Sequence, residues 1–277
     1  MRTLQEAIDR MDNKGGAGAS LRKHLNAVGI KTWDDISRNS LYEFRDKVLS
    51  SVAPSTARTV TAYLMSLLNR YSDCLKLPPD YTKILAVKGC KAVRTFLTPA
   101  ELRAFEKYPA RSITEELIKA ESLVEAYTGA RVSDVLCLTS ENFHDGHLTY
   151  TSKKTRITVT LPASAKVKGW VEYIQTHKDY EPSMTSRGII IRRIARGAGI
   201  TEPVSVFRAG KTVKGPKCDH ISSHNFRITF CTNLQIAGVD MLSLSRLAGH
   251  TNSAMTERYC SPTAPRLTEN ALAYLNL

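Results

Sequence analysis

The sequence is short of the features that announce several classes of protein. No run approaches the roughly 18 consecutive apolar residues that a membrane-spanning helix needs, so no membrane segment is expected. The opening stretch MRTLQEAIDRMDNKGG has the pattern of an amphipathic helix and lacks the apolar centre of a secretory leader. A soluble intracellular protein is expected, in the cytoplasm with the nucleoid. Cysteine is sparse: Cys74, Cys90, Cys137, Cys218, Cys231 and Cys260 stand singly, with no CxxC and no histidine pair at ligand spacing. Structural disulfides, a metal centre and a bound cofactor are therefore not expected. With 15 Gly and 11 Pro in 277 residues the chain is neither collagenous nor low in complexity. Hydrophobic residues at 42% against 23% charged describe a folded chain, long enough for two domains that bury cores of their own.

Acidic residues are also comparatively few. Against 39 Lys and Arg there are 26 Asp and Glu, a formal net charge of +13 that points to polyanions as partners. The excess is shared between the two halves: 16 basic against 9 acidic residues before Thr95, and 23 against 17 from Thr95 onward. A basic tail would concentrate it at one end. The even division suits two bodies that each face double-stranded DNA, with Arg58 in the first and Lys88 and Lys91 in the segment between them as phosphate contacts.

Residues 1–85 carry helical patterns only and are expected to form a four-helix domain. Leu4 and Ile8, then Leu21 and Leu25 before Gly29, recur at helical spacing; Ser40 with Glu43 forms a capping box, and Pro54 opens a helix striped by Val60, Leu64, Leu67, Leu68 and Tyr71. A Pro-marked basic linker is expected over 86–97. Thr98-Pro99-Ala100-Glu101 then caps the first helix of a second domain, 98–277. There Asp145-Gly146 introduces two β-prone runs flanking the basic turn Lys153-Lys154-Thr155-Arg156, a hairpin within an otherwise helical body. The fold class expected is mainly α with a small β-sheet.

The chemistry gathers in a few short motifs. His224 and Arg227 lie three apart and share one helix face, so both can converge on an anion. His250 follows Leu247-Ala248-Gly249, Tyr259 comes nine residues later, and upstream Gly129-Ala130-Arg131 is followed by Asp134. Any one of these is commonplace on a solvated surface. Their order is not: an arginine after a small-residue turn, lysines on a hairpin, HxxR, an LGH-like box and a tyrosine close behind resemble the tyrosine recombinase, or phage integrase, family. The resemblance covers residues 129–259, with Ala248 a departure from the family's common Leu-Gly-His and His250 retained.

The resemblance implies an N-terminal core-binding domain and a catalytic domain that cleaves and rejoins DNA through a 3′-phosphotyrosyl bond on Tyr259. Arg131 and Arg227 would clamp the phosphate as planar guanidinium groups that stay charged. His224 would serve as base, His250 as donor to a nonbridging oxygen, and Lys154 as acid for the departing 5′ oxygen. Lys153 is the alternative to Lys154, and is otherwise, with Arg156, a phosphate contact. Asp134 would orient an arginine or a histidine from behind. The implied assembly is a homo-tetramer on two duplexes with inverted core sites, with accessory bending or directionality proteins in some systems. An integrase of a mobile element, a dimer-resolution recombinase, a type IB topoisomerase and a catalytically idle DNA-binding protein all fit the residues to different degrees. In the tail, Leu267, Ala271 and Leu275 mark a helix at 264–277, either docked at home or donated to a neighbouring protomer.

Overall fold

The structure, a computed structural model, describes residues 2–11, 17–88, 95–208, 211–251 and 256. Tyr259, Lys91 and the tail helix expected at 264–277 lie outside the described residues. The chain divides into two compact units, the first running through residue 92 and taking in 207–213, the second holding the rest. No helix among the described residues is long and apolar enough to cross a membrane.

The first unit contains helices α1 (Leu4–Met11), α2 (Ala17–Ala27), α3 (Arg38–Ser51), α4 (Pro54–Arg70) and the short α5 (Tyr81–Leu85). Its core is drawn from the expected stripes: Leu4, Ile8, Leu21, Leu25, Leu64 and Leu68 are all buried. The capping box sits one residue triplet earlier than Ser40 and Glu43 suggest. Ser37 is the cap, its hydroxyl accepting from the Ser40 amide at 3.2 Å while its own amide donates to Ser40 Oγ at 2.9 Å. A serine can fill either end of the reciprocal pair, so the true box starts α3 at Arg38 and leaves Glu43 exposed to neither role.

The second unit is built around α7 (Ile113–Thr128), a helix buried on nearly every side. Before it, α6 (Pro99–Lys107) begins at the expected cap, with Thr98 and Glu101 bonded reciprocally. The segment expected as the end of a linker is part of this core. Leu97 is fully buried, its amide donating to Thr229 Oγ1 at 2.9 Å, and the Thr95 carbonyl accepts from Asn225 Nδ2 at 2.7 Å. The short α8 (Val132–Val135) follows α7, and then a three-stranded antiparallel sheet, β1 (Phe143–His144), β2 (His147–Thr151) and β3 (Thr158–Pro162). Asp145 and Gly146 both take positive φ, 48° and 72°, as a tight two-residue turn between right-twisted strands requires. Alternation does the rest: Leu148, Tyr150, Val159 and Leu161 face the core, while Thr149 pairs with Thr160 and Thr151 with Thr158 on the outer face. The unit continues through α9 (Ala165–Thr176), α10 (Met184–Gly197), α11 (Ser223–Ile236) and α12 (Met241–Leu247); between α10 and α11 come the paired strands β4 (Pro203–Arg208) and β5 (Lys211–Pro216), of which residues 207–213 fall in the first unit. The chain is thus mainly helical with small antiparallel sheets.

Burial of α7 puts charge in the core. Glu121 is 1% exposed and is met by Arg187 of α10, Nη1 to Oε2 at 2.8 Å, while Arg187 Nη2 is shared between Glu121 Oε1 at 3.3 Å and Glu181 Oε1 at 3.2 Å. Loss of water outweighs the pull of Arg187 and carries the Glu121 carboxyl up to about 7. Such a pair registers the helices more than it stabilises them. Arg187→Met alone should cost about 3–5 kcal/mol in urea denaturation, because an acid is left without its partner. Arg187→Met with Glu121→Leu should recover most of that loss; a double variant as unstable as the single would show that packing of Arg187, not the ion pair, holds α10 to α7.

Candidate active site

The first arginine owes its place to a glycine. Gly129 ends α7 in the left-handed region at φ 67°, and a Cβ there would stand 2.4 Å from Phe230 Cδ1. No larger residue fits both the backbone and the neighbour. The chain turns sharply, and Arg131 becomes the residue that starts α8. Its Nη1 donates to Ser152 Oγ at 3.0 Å, and that hydroxyl donates onward to Asp134 Oδ2 at 3.0 Å. The other Asp134 oxygen accepts from the Lys153 amide at 2.9 Å. Asp134, itself buried, therefore fastens the end of β2 to α8 and orients Arg131 through a serine.

The hairpin turn follows directly. Arg156 takes φ 58° and its amide closes on the Ser152 carbonyl at 2.9 Å, so the turn is tight and basic. Lys153 bends back toward the Cys137 thiol and Asp134; the hydrogen bond to Cys137 is the largest cause of a raised ammonium pKa. Lys154 is exposed on the same turn. Thr155 Oγ1 donates to the Gly249 carbonyl at 3.3 Å, tying the turn to the loop that carries His250.

Helix α11 supplies the second arginine. Arg227 is 1% exposed, and its guanidinium donates Nη2 to the Ala248 carbonyl at 2.6 Å and Nη1 to the Gly129 carbonyl. Two of its donors thus hold the turn before Arg131 and the turn before His250 at once. His224 lies one turn earlier on the same helix and is half-buried.

His250 leaves the end of α12 at Gly249, where φ is 61° and a Cβ would come within 2.8 Å of Val159 Cγ2. Its Nδ1 meets Thr256 Oγ1 at 2.9 Å. Burial pulls the imidazole pKa down to about 3, and Arg227, Arg131 and His224 push the same way by their charge. His250 is neutral at physiological pH, and a Thr256 hydroxyl donating to Nδ1 would leave the hydrogen on Nε2, where it can be given to an anion. Tyr150, buried near both arginines, is held as a phenol with its pKa pushed up to about 12, chiefly by burial.

Five of the residues singled out in the sequence, Arg131, Asp134, His224, Arg227 and His250, therefore belong to one site, beside the turn that carries Lys153, Lys154 and Arg156. Arg58 and Lys88 are exposed in the first unit. Ser152, Thr155 and Thr256 were not legible as site residues. Only Ser152 had a signal, its position just after β2, in step with the inward Leu148 and Tyr150 and beside a basic turn. Among the described residues no cluster of His, Cys, Asp and Glu could hold a metal ion.

Residues 95–265 match the model of the phage integrase family. A tyrosine recombinase XerC from Roseiflexus sp. (strain RS-1) is 24% identical over 249 residues, spanning 85% of this chain and 77% of that one. Among solved structures, the Tn1549 transposon integrase in complex with a circular intermediate DNA superposes with a TM-score of 0.67 at 15% identity, covering 98% of this chain and all of the other. A lambda integrase tetramer bound to a Holliday junction gives 0.63 at 15% identity over 94% of this chain and 77% of its own. At these identities the structural likeness is one of fold.

A histidine held neutral by its surroundings leaves a mark on stability. The unfolded chain binds a proton at His250 near pH 6.5 and the folded chain does not until about 3, so stability falls as pH drops below about 6.5. Between about pH 7 and pH 5 the melting temperature of the wild type should fall more steeply than that of His250→Gln. Equal slopes would mean that the imidazole takes up its proton in the folded state as freely as in water.

Proposed function

The chain belongs to the phage integrase family, and from that premise we propose that it is a site-specific DNA recombinase that cuts and rejoins strands through a phosphotyrosyl bond on Tyr259. The observation that carries this reading is the convergence of Arg131, Arg227 and His224 on His250, whose titration all three depress. Two guanidinium groups beside two imidazoles form a site for a phosphate, and for the charge that grows on its nonbridging oxygens as a nucleophile arrives.

The step balances with residues of this chain. The Tyr259 oxygen attacks phosphorus as its proton passes to His224; the bond from phosphorus to the 5′ oxygen breaks, and Lys154 gives that oxygen a proton. Arg131 and Arg227 hold the nonbridging oxygens, and His250 donates from Nε2 with its tautomer set by Thr256. A 3′-phosphotyrosine and a free 5′-hydroxyl result. Because the phosphotyrosyl bond conserves the energy of the bond it replaced, the reverse attack reseals DNA without a nucleotide cofactor. Arg58, Lys88, Lys91 and Arg156 are assigned to the DNA backbone, the first unit being the core-binding domain.

Exchange of strands requires two duplexes and four active sites. We assign a homo-tetramer on paired inverted sites, working on DNA in the cytoplasm, with the tail helix at 264–277 as a link between protomers and with bending or directionality proteins where the element demands them. Integration or excision of a mobile element is the preferred role. Resolution of chromosome or plasmid dimers by the same chemistry is the second reading, compatible with the likeness to a XerC tyrosine recombinase.

Tyr259→Phe should bind DNA as the wild type does and form no covalent complex, read on a nicked duplex recovered by covalent capture from random-sequence DNA. A denaturant-resistant complex from that variant would move the nucleophile elsewhere. Arg131→Lys should lower the cleavage rate about 10²- to 10³-fold, since a point donor cannot reproduce the guanidinium fork. Arg227→Lys should fall as far and also melt earlier, for two backbone carbonyls lose their donor with it.

The two hairpin lysines separate by leaving group. With sulfur in place of the 5′ bridging oxygen no proton is needed, so that substrate should restore cleavage to Lys154→Ala. A Lys153→Ala defect should stay unrepaired and grow with salt, as a lost phosphate contact does. Rescue of Lys153→Ala instead would reverse the assignment.

A further inference from the structure

One buried acid close to the arginines has no part in the scheme above. Glu125 lies on α7 four residues before Gly129, is 2% exposed, and holds the Ser223 hydroxyl with both carboxyl oxygens, at 2.8 and 3.1 Å. Ser223 is the first residue of α11 and the neighbour of His224, one turn before Arg227. The Glu125 backbone is engaged in the same place: its carbonyl accepts from the Gly129 amide at 2.9 Å, and the Gly129 carbonyl accepts from Arg227. Glu125 thus bridges α7, whose end leads into the turn to Arg131, and the helix that carries His224 and Arg227.

We propose that Glu125 is a positioning residue for strand cleavage, held as a neutral carboxylic acid that fixes Ser223 and through it the placement of His224 and Arg227. The inference rests on the recombinase reading for its catalytic part only. The charge argument is direct. An ionised carboxylate here would face Arg227 from α11 and Arg187 from α10, in series with Glu121 on its own helix, and would neutralise the guanidinium that has to hold a DNA phosphate. A neutral acid keeps the hydrogen bond and leaves the charge of the clamp intact: one oxygen accepts from Ser223 and the other carries the proton. Burial, the largest influence on the group, raises its pKa well above the ordinary carboxylate range, and Glu121 adds to the rise while Ser223, Arg187 and Arg227 oppose it.

The test compares Glu125→Gln with Glu125→Leu and Ser223→Ala in the full chain. Infrared difference spectra between wild type and Glu125→Gln at neutral pH should show the band of a protonated carboxyl group, and this needs no DNA. Single-turnover cleavage of the captured nicked duplex should be within about threefold of wild type for Glu125→Gln, which keeps an uncharged acceptor. It should fall at least about tenfold for Glu125→Leu and for Ser223→Ala, with DNA affinity unchanged, as expected when reacting groups are displaced by a fraction of an ångström. A carboxylate band in place of the carboxyl band, or a Glu125→Gln loss as deep as that of Glu125→Leu, would overturn the neutral acid. Wild-type rates in Glu125→Leu or Ser223→Ala would overturn the positioning role, and lower melting temperatures with unchanged rates would reduce the bridge to fold stability. If Glu125→Leu does not fold, Ser223→Ala and the infrared band carry the decision. Failure of the wild type to cleave any DNA would count against the recombinase reading, and the infrared result would stand apart from it.

Discussion

The guanidinium of Arg227 occupies a place that no other side chain could fill. It is buried under α7 and α12 and donates to the carbonyls of Gly129 and Ala248, one in the turn that presents Arg131 and the other in the turn that presents His250. Carbonyls at helix ends are left without intrahelical partners, and a flat fork of charged donors can satisfy two of them in different elements at once. Two turns 119 positions apart in the chain, at Gly129 and at Ala248, thereby hold a common geometry. The residue assigned to the phosphate is also the brace that assembles the site, so its two duties cannot be separated by one substitution.

The remaining pieces hang on that brace. Gly129 and Gly249 each take a left-handed conformation with no room for a Cβ, against Phe230 and Val159 respectively, so both turns come as close to the core as backbone can. Asp134 and Ser152 attach the hairpin to α8, and Thr155 attaches its turn to the Gly249 carbonyl. The tight basic turn is thus anchored on two sides, which suits the role proposed for Lys154.

Charge is managed by burial throughout this unit. Cations crowd His250 and burial strips its water, so it stays neutral; acids on α7 lose water and rise, Glu121 to about 7 and Glu125 beyond the ordinary range. The outcome is a pair of arginines set beside a neutral His250 and a Glu125 raised above the ordinary carboxylate range. Asp134, 4.0 Å from Arg131 Nη1, is taken up by the Ser152 hydroxyl and the Lys153 amide.

Sequence alone was enough for the class of fold, the capping of α6 by Thr98 and Glu101, and the hairpin with its alternating inward residues, and it singled out Arg131, Asp134, His224, Arg227 and His250, which the fold brings together. These rest on local periodicity and on residue types in order, which a linear string carries. It was not enough for the start of α3, where a second serine three residues earlier made the better cap, nor for Leu97, which reads as linker until its amide is seen bonded to Thr229. Tertiary structure alone decided that Lys153 turns toward Cys137 and Asp134, that Ser152 stands between Arg131 and Asp134, that Thr256 sets the His250 ring, and that Glu125 meets Ser223. Each of those joins residues brought together by folding, and each depends on how much water the fold removes from a polar group, a quantity that no spacing in the chain records.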